Sequence, residues 1–371
     1  MKKILVAGLS ESVGGIENLF LHIIGKTHES ISYSILCFGE RCAYESIFIG
    51  YGCKIYHIPT RNDRPFSFNK IVIRFYIENP DFDYIWFNTA STSIYQIQYY
   101  GKKYTKAKII THSHGTSFDS NSGKAKYYIN RILDKVNKKR VNQSTDFFFC
   151  CSIAAGESLF GKKYKEKLIL VRNGIDTAKF AFNDNIRNEI RGKYNISDKS
   201  LVVGFIGRLS NQKNPLKAIS IFEKLEKCCD SKLVIIGDGE LKNDMLSRIN
   251  NSTARDSILY LGFKDNVEQY MNMLDILLMP SVFEGLPLTA IEAQCNGLKC
   301  VLSASITRET DITNNCYFID HHASDDEWSE TIEKIDCNYN RAKYSAIVKD
   351  NKYDMNDTVE MLKSFLGVQC E

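Results

Sequence analysis

The sequence predicts an α/β protein of two domains, each built on a parallel sheet. Three observations lead there. The 371 residues suffice for about two domains at roughly 100–200 residues each. Short apolar runs followed by turn residues and then helical patterns recur along the chain, as strand–helix alternation requires. The alternation also halts at a polar stretch after Asn173-Gly174 and restarts at Leu201.

In the first half the expected strands are Lys3–Ala7, Tyr33–Phe38, Lys54–Ile58, Tyr84–Phe87, Lys108–His112 and Phe147–Cys150. The second half offers Leu201–Ile206, Lys232–Ile236, Ile258–Leu261, Ile276–Met279 and Lys299–Leu302. The Asn-Gly turn in Val171–Asp176 marks the expected hinge. The first domain is therefore assigned to residues 1–172 and the second to 173–354. A helical tail with no strand after it, at 355–371, is expected to return to the first domain.

Composition narrows the function. With 44% hydrophobic and 25% charged residues the chain is ordinary globular protein. No apolar run approaches the roughly 20 residues of a membrane helix, and Ile4–Leu9 is too short for a signal peptide, so a cytoplasmic protein is expected. The 12 cysteines are scattered without any C-x-x-C and read as reduced thiols. His112/His114 and His321/His322 lack clustered partners, so no metal is expected.

Charge is uneven: residues 1–175 hold 25 Lys/Arg against 14 Asp/Glu, leaving 23 against 30 for the rest. The basic clusters are Lys102, Lys103, Lys106 and Lys108; Lys135, Lys138, Lys139 and Arg140; and Lys162, Lys163, Lys165 and Lys167. They read either as solvated surface or as attraction to an anionic membrane face or a pyrophosphate-bearing acceptor. Nucleic acid is disfavoured, because no recognised binding motif accompanies the charge.

The most informative segment runs from Met279 to Ala293. A buried strand ends at Met279, a loop follows, and Pro287 suits the first position of a helix because its φ is fixed and it has no N–H to orphan. Free amides at that helix start, with Gly285, Leu286 and Leu288 around them, would receive phosphate or hydroxyl oxygens. Glu284 precedes the helix and Glu292 falls on its second turn. Eight residues on one helix would separate them by about 12 Å, so they are not a paired acid and base. On a loop and a helix they can instead accept hydrogen bonds from opposite ends of one long ligand. Either glutamate alone reads equally as an ordinary helix carboxylate.

The pattern Glu284-Gly285-Leu286-Pro287-Leu288-x3-Glu292-Ala293 resembles the E-x7-E signature of the retaining glycosyltransferases of family 4, which have the GT-B architecture. The likeness extends to Gly14-Gly15-Ile16-Glu17, Asn173-Gly174-Ile175-Asp176, Gly204–Leu209 with Lys213, Ile235–Gly239 and Leu261-Gly262-Phe263. The resemblance implies two Rossmann-like domains facing across a cleft, the first binding acceptor and the second binding a nucleoside diphosphate sugar. It implies that Glu284 binds sugar hydroxyls, Glu292 the ribose, and Arg208 and Lys213 the pyrophosphate.

Both cations follow a strand, beside Gly207 and ahead of Asn214-Pro215, at the sheet edge where α/β proteins bind ligands. They would neutralise charge on a departing diphosphate. Gly14-Gly15 departs from G-x-G-x-x-G, which weakens hydride chemistry; by resemblance Gly15 lends an amide to the donor phosphate. Resemblance also puts a donor-contacting histidine at the end of Lys108–His112. His114 aligns there, with His112 the alternative because period two puts both on one face. Phe263 and Val267 fall in the expected base-binding loop, Gly237-Asp238-Gly239 in a turn, and Gly115–Gly123 in a polar acceptor loop.

The expected reaction is transfer from a UDP-sugar, with retention and without metal or other cofactor, to a glycan or undecaprenyl-diphosphate-linked acceptor of bacterial surface polysaccharide. Capsule, exopolysaccharide or O-antigen assembly, with peripheral contact at the inner membrane face, fits such a protein. A GT-B sugar-nucleotide epimerase is the alternative, and would turn over without an acceptor.

Overall fold

The computed structural model describes residues 1–11, 14–115 and 124–368, the side chains of 124–131 excepted. Apart from Gly115, the expected acceptor loop 115–123 lies outside the described residues, as does 369–371 of the expected tail.

The first unit comprises Met1–Gly174 and Met355–Glu371, and the second Ile175–Asp354. The division thus falls two residues past the boundary expected at 172. The first unit carries β1 (Lys2–Ala7), β2 (Ile31–Phe38), β3 (Lys54–Ile58), β4 (Tyr84–Thr89), β5 (Lys108–Ser113), β6 (Phe147–Cys150) and β7 (Leu168–Leu170). They form one sheet in the order β3-β2-β1-β4-β5-β6-β7, and every pairing in it is parallel. The second carries β8 (Leu201–Ile206), β9 (Ser231–Ile236), β10 (Ile258–Gly262), β11 (Ile276–Met279), β12 (Lys299–Ser303) and β13 (Cys316–Ile319). Their order is β10-β9-β8-β11-β12-β13, again all parallel.

Both sheets are therefore Rossmann-like, with helices supplying the cover that parallel strands need on each face. In the first, Ile4, Val6, Trp86 and Ile110 pack to one side, whereas Leu5, Ala7, Ile85 and Phe87 pack to the other. The alternation of odd and even positions within β1 and β4 is the pleat of a strand buried on both faces. The Met355–Leu366 helix belongs to this core, burying Met355, Val359, Leu362 and Leu366 beside Phe20 and Ile23. Among the described residues no helix is long and apolar enough to cross a membrane.

The sequence expectation delimits neither edge strand, β7 nor β13, although the Asn173-Gly174 turn implies a strand ending before it. Leu168–Leu170 and Cys316–Ile319 are apolar but only three and four residues long, too short to show a period.

Strand order reverses between β1 and β4 in one sheet and between β8 and β11 in the other. Loops leaving the carboxyl ends of such a strand pair diverge and leave a crevice, the general ligand site of open α/β sheets.

Candidate functional site

In the second unit the switch point is lined by the loops after β8 and β11. The β8 loop is shaped from beneath. Gly207 N donates to Ile236 O at 3.0 Å, Leu209 N to Asp238 O at 3.0 Å, and Leu241 N to Leu209 O at 2.9 Å. Gly237 has φ +146°, and a Cβ there would lie 1.9 Å from Gly207 O. Only glycine permits this approach. Gly237-Asp238-Gly239 is thus a turn that supports the β8 loop, with Asp238 paired to Lys242 at 2.9 Å.

Leu209 is fully buried, while Arg208 beside it is exposed. The loop then turns into the Pro215–Leu225 helix. Asn214, at φ +58°, accepts from Lys217 N at 3.4 Å, and Pro215 fills the first helical position. This cap, expected from Asn214-Pro215, aims Lys213 toward the β11 loop.

The two loops are laced together. Val282 N donates to Gln212 O at 2.8 Å, and Gln212 Nε2 donates to Phe283 O at 3.1 Å. On its far side the β11 loop makes a Glu284–Ile306 bridge, and Ser305 Oγ donates to Ser281 O at 3.1 Å. The result is a Lys213 Nζ–Glu284 Oε1 ion pair at 2.6 Å, with the side chains only 19% and 10% exposed.

Pro287 departs from expectation by one residue. It is the N-cap, with ψ 114° holding it extended, and the helix is Leu288–Cys295. Its carbonyl accepts from Ala290 N at 3.1 Å, so the amides of Leu288 and Thr289 are those left at the helix start. Leu286 and Leu288 are partly buried against the core, with Gly285 half-buried before them.

Glu292 is half-buried on the second turn rather than solvated. Burial raises its carboxyl to about 7, against the pull of Lys179 and Lys213 and with a smaller push from Glu268. Glu268, 8% exposed, forms an ion pair with Lys179 at 3.4 Å. Phe263 is 71% exposed after β10, a free aromatic face, and Val267 opens the Val267–Met271 helix against the core.

The first unit has a matching arrangement at its own switch point. Gly15 opens the Gly15–Thr27 helix, presenting an unpaired-end amide, and Glu17 Oε1 accepts from Ser10 N at 2.7 Å, tying down the start of the β1 loop. Asn88 near the end of β4 is 3% exposed and donates to Ala7 O at 3.1 Å. Its Oδ1 lies 2.8 Å from His114 Nε2. Gly8, at φ +91°, lets β1 close on Asn88, because a Cβ would sit 2.1 Å from Asn88 O.

His112 and His114 do share a face, their rings 3.8 Å apart. His112 is fully buried under Trp86 and Phe149, and His114 is the half-buried one at the strand edge. Burial lowers both imidazoles, His114 to about 3, so both are neutral near pH 7.

Arg208, Lys213, Glu284 to Leu288 and Glu292 thus lie on the loops and helix that follow β8 and β11, whereas Phe263 and Val267 follow β10 at the edge of the same sheet; in the first unit Gly15 follows β1 and His114 follows β5. Asn88, Gln212, Lys179 and Glu268 were not singled out. A strand-end position was the one available signal, and it applied to Asn88 alone.

Residues 186–351 match the family model for Glycosyl transferases group 1. Over 307 residues the chain is 26% identical to the provisionally designated glycosyltransferase EpsF of Bacillus subtilis (strain 168), covering 80% of this chain and 78% of that one. It is 31% identical over 201 residues to an Escherichia coli UDP-Gal:alpha-D-GlcNAc-diphosphoundecaprenol alpha-1,3-galactosyltransferase, covering 51% of this chain and 50% of that one. The fold matches Anabaena Alr3699/HepE, solved in complex with UDP, with TM-score 0.76 at 16% identity, over 99% of this chain and 100% of that one. The family-model match thus lies within the second unit, the two Rossmann-like units have the GT-B fold of their structural neighbours, and the chain is an enzyme of the glycosyltransferase class.

Proposed function

We propose that the enzyme transfers a sugar from a UDP-sugar, with retention of anomeric configuration, to a lipid-diphosphate-linked or glycan acceptor in bacterial surface polysaccharide synthesis. The observation that carries this reading is the Lys213–Glu284 pair at the β8/β11 switch point, with Arg208 exposed on the same β8 loop. A bound diphosphate would compete with Glu284 for Lys213 and free the carboxylate for sugar hydroxyls. Arg208 and Lys213 take the pyrophosphate, Glu292 the ribose, Phe263 and Val267 the base, and the amides around Gly285–Leu288 further donor oxygens. Gly207 keeps the β8 loop clear of a side chain there. In the first unit we assign Gly15 to a phosphate oxygen and His114 to the transferring sugar.

UDP is supported by the ligand of Anabaena HepE and by the donor named for the Escherichia coli relative. That relative's diphosphoundecaprenol acceptor supports a lipid-linked one here. In the transfer step the acceptor oxygen bonds to the anomeric carbon as the bond to the UDP oxygen breaks. The acceptor proton passes to that departing oxygen, with Arg208 and Lys213 meeting its charge, so no metal is assigned a role. Glu284 and Glu292 position the donor and do not relay the proton.

The exposed lysines of the first unit, with Ile132 and Val136 64% and 59% exposed one helical turn apart, are assigned to an anionic membrane face. Vesicle flotation that is lost at high salt supports that contact, and equal recovery with neutral lipid contradicts it.

The test is a thermal-shift panel of nucleotide sugars, then NMR of product formed with the best binder and diphosphate-lipid acceptors. An α-linked product from an α-linked donor, insensitive to EDTA, is expected. Turnover of the donor alone, with sugar inverted at one ring carbon, would instead establish the epimerase.

A further inference from the structure

We infer that Lys179 and Glu268 are positioning residues of the donor site, and that their ion pair fixes the charge carried by Glu292 and thereby the pH at which the nucleotide's ribose is held. This rests on the reading of Glu292 as the ribose ligand.

Within the second unit the helix that bears Glu292 is tied to a neighbouring segment. Residues 175–183 form a strap across two helices. Asn183 N donates to Asn272 Oδ1 at 2.7 Å, Asn296 Nδ2 donates to Phe180 O at 3.1 Å, and the Cys295 thiol donates to Thr177 O at 3.4 Å. The strap is therefore fixed to the Val267–Met271 region and to the helix that bears Glu292. It brings Lys179 to Glu268 at 3.4 Å. Lys213 of the β8 loop also favours ionised Glu292, but it is already held by Glu284 at 2.6 Å.

Three carboxylates thus share two cations. Glu284 and Glu268 each have a lysine within ion-pair distance, and among the described residues Glu292 has none. Burial penalises the charge of Glu292 and neither lysine is committed to it, so its carboxyl is raised. Cys295, on the same helix, is pushed up to about 12 by burial, with smaller pushes from Asp354, Glu292 and Asp176, and stays neutral.

The two members of the pair pull Glu292 in opposite directions. Lys179 favours its ionised form and Glu268 opposes it. Removing one leaves the other unbalanced. Lys179→Met therefore raises the Glu292 midpoint and Glu268→Gln lowers it, a sign reversal that loss of packing alone does not produce. Ionised Glu292 accepts from ribose hydroxyls, so affinity rises as pH passes the midpoint.

The experiment follows the Glu292 carboxyl by NMR in the full-length, 13C-glutamate-labelled enzyme, and UDP affinity by calorimetry from pH 6 to 9. Both are run for wild type, Lys179→Met, Lys179→Arg and Glu268→Gln. We expect midpoints displaced by about half a unit to one unit, upward for Lys179→Met, downward for Glu268→Gln and unchanged for Lys179→Arg. The UDP binding curves should move in the same order. Displacement of both variants in one direction, or of neither, overturns the inference while UDP binding upholds the donor site. UDP binding that ignores pH overturns it equally. Failure of the wild type to bind UDP at any pH overturns the donor-site reading and this inference with it.

Discussion

Lys213 Nζ lies 2.6 Å from Glu284 Oε1, joining the loops that leave β8 and β11. Both side chains are largely buried, so each charge depends on the other for compensation. Lys213→Met should destabilise the second unit by about 3 kcal/mol by leaving Glu284 uncompensated, and Glu284→Gln similarly. The double variant should recover about 1–3 kcal/mol relative to the sum, as measured by urea unfolding in a double-mutant cycle. Additive losses would mean the pair is not coupled.

Glu292 should make stability fall with rising pH. Its folded value of about 7 lies above its ordinary 4.5, so the folded state retains a proton that the unfolded state has released. The penalty is absent below about pH 4.5, grows between there and pH 7, and amounts to at most about 3 kcal/mol above that. Glu292→Gln should therefore raise Tm at pH 8 and leave it nearly unchanged at pH 5. Equal Tm differences at both would contradict the burial argument.

His112 and His114 should remain neutral from pH 8 to 5 in imidazole NMR. His114 falls from 6.5 to about 3, so the unfolded state binds its proton first and stability drops as pH falls below 6.5. Asn88→Asp would put a carboxylate where Oδ1 now sits 2.8 Å from Nε2. That change should raise His114 by about one unit or more.

Gly237→Ala should cost about 3 kcal/mol, since an added methyl meets Gly207 O at 1.9 Å and φ is +146°. Gly52→Ala, at φ +80° with nothing within 4 Å of the new Cβ, carries only the backbone strain and should cost less. The comparison, read by chemical denaturation, separates close approach from strain.

Arg208, Lys213, Glu284 and Glu292 were singled out because together they form one ordered pattern that resembles a glycosyltransferase signature, on segments that follow the apolar strands β8 and β11. What period could not convey was depth. His112 and His114 share a face, yet one lies beneath Trp86 and the other at the edge. Lys179 and Glu268 are 89 residues apart and meet only through the strap's hydrogen bonds to Asn272 and Asn296, which no local pattern encodes. The edge strands β7 and β13 were not delimited because three or four residues, though apolar, are too few to show a period. Pro287 was expected at the first helical position, and its extended ψ makes it the cap instead.

Arg208 offers the most direct test of the donor site, because its side chain is exposed and its removal should leave the fold intact. The measurement is kcat/KM for sugar transfer by wild type and Arg208→Ala with the best-binding nucleotide sugar, with Tm recorded alongside. The account predicts a loss of about 100-fold or more with Tm nearly unchanged. Transfer at the wild-type rate by a folded Arg208→Ala enzyme would contradict it.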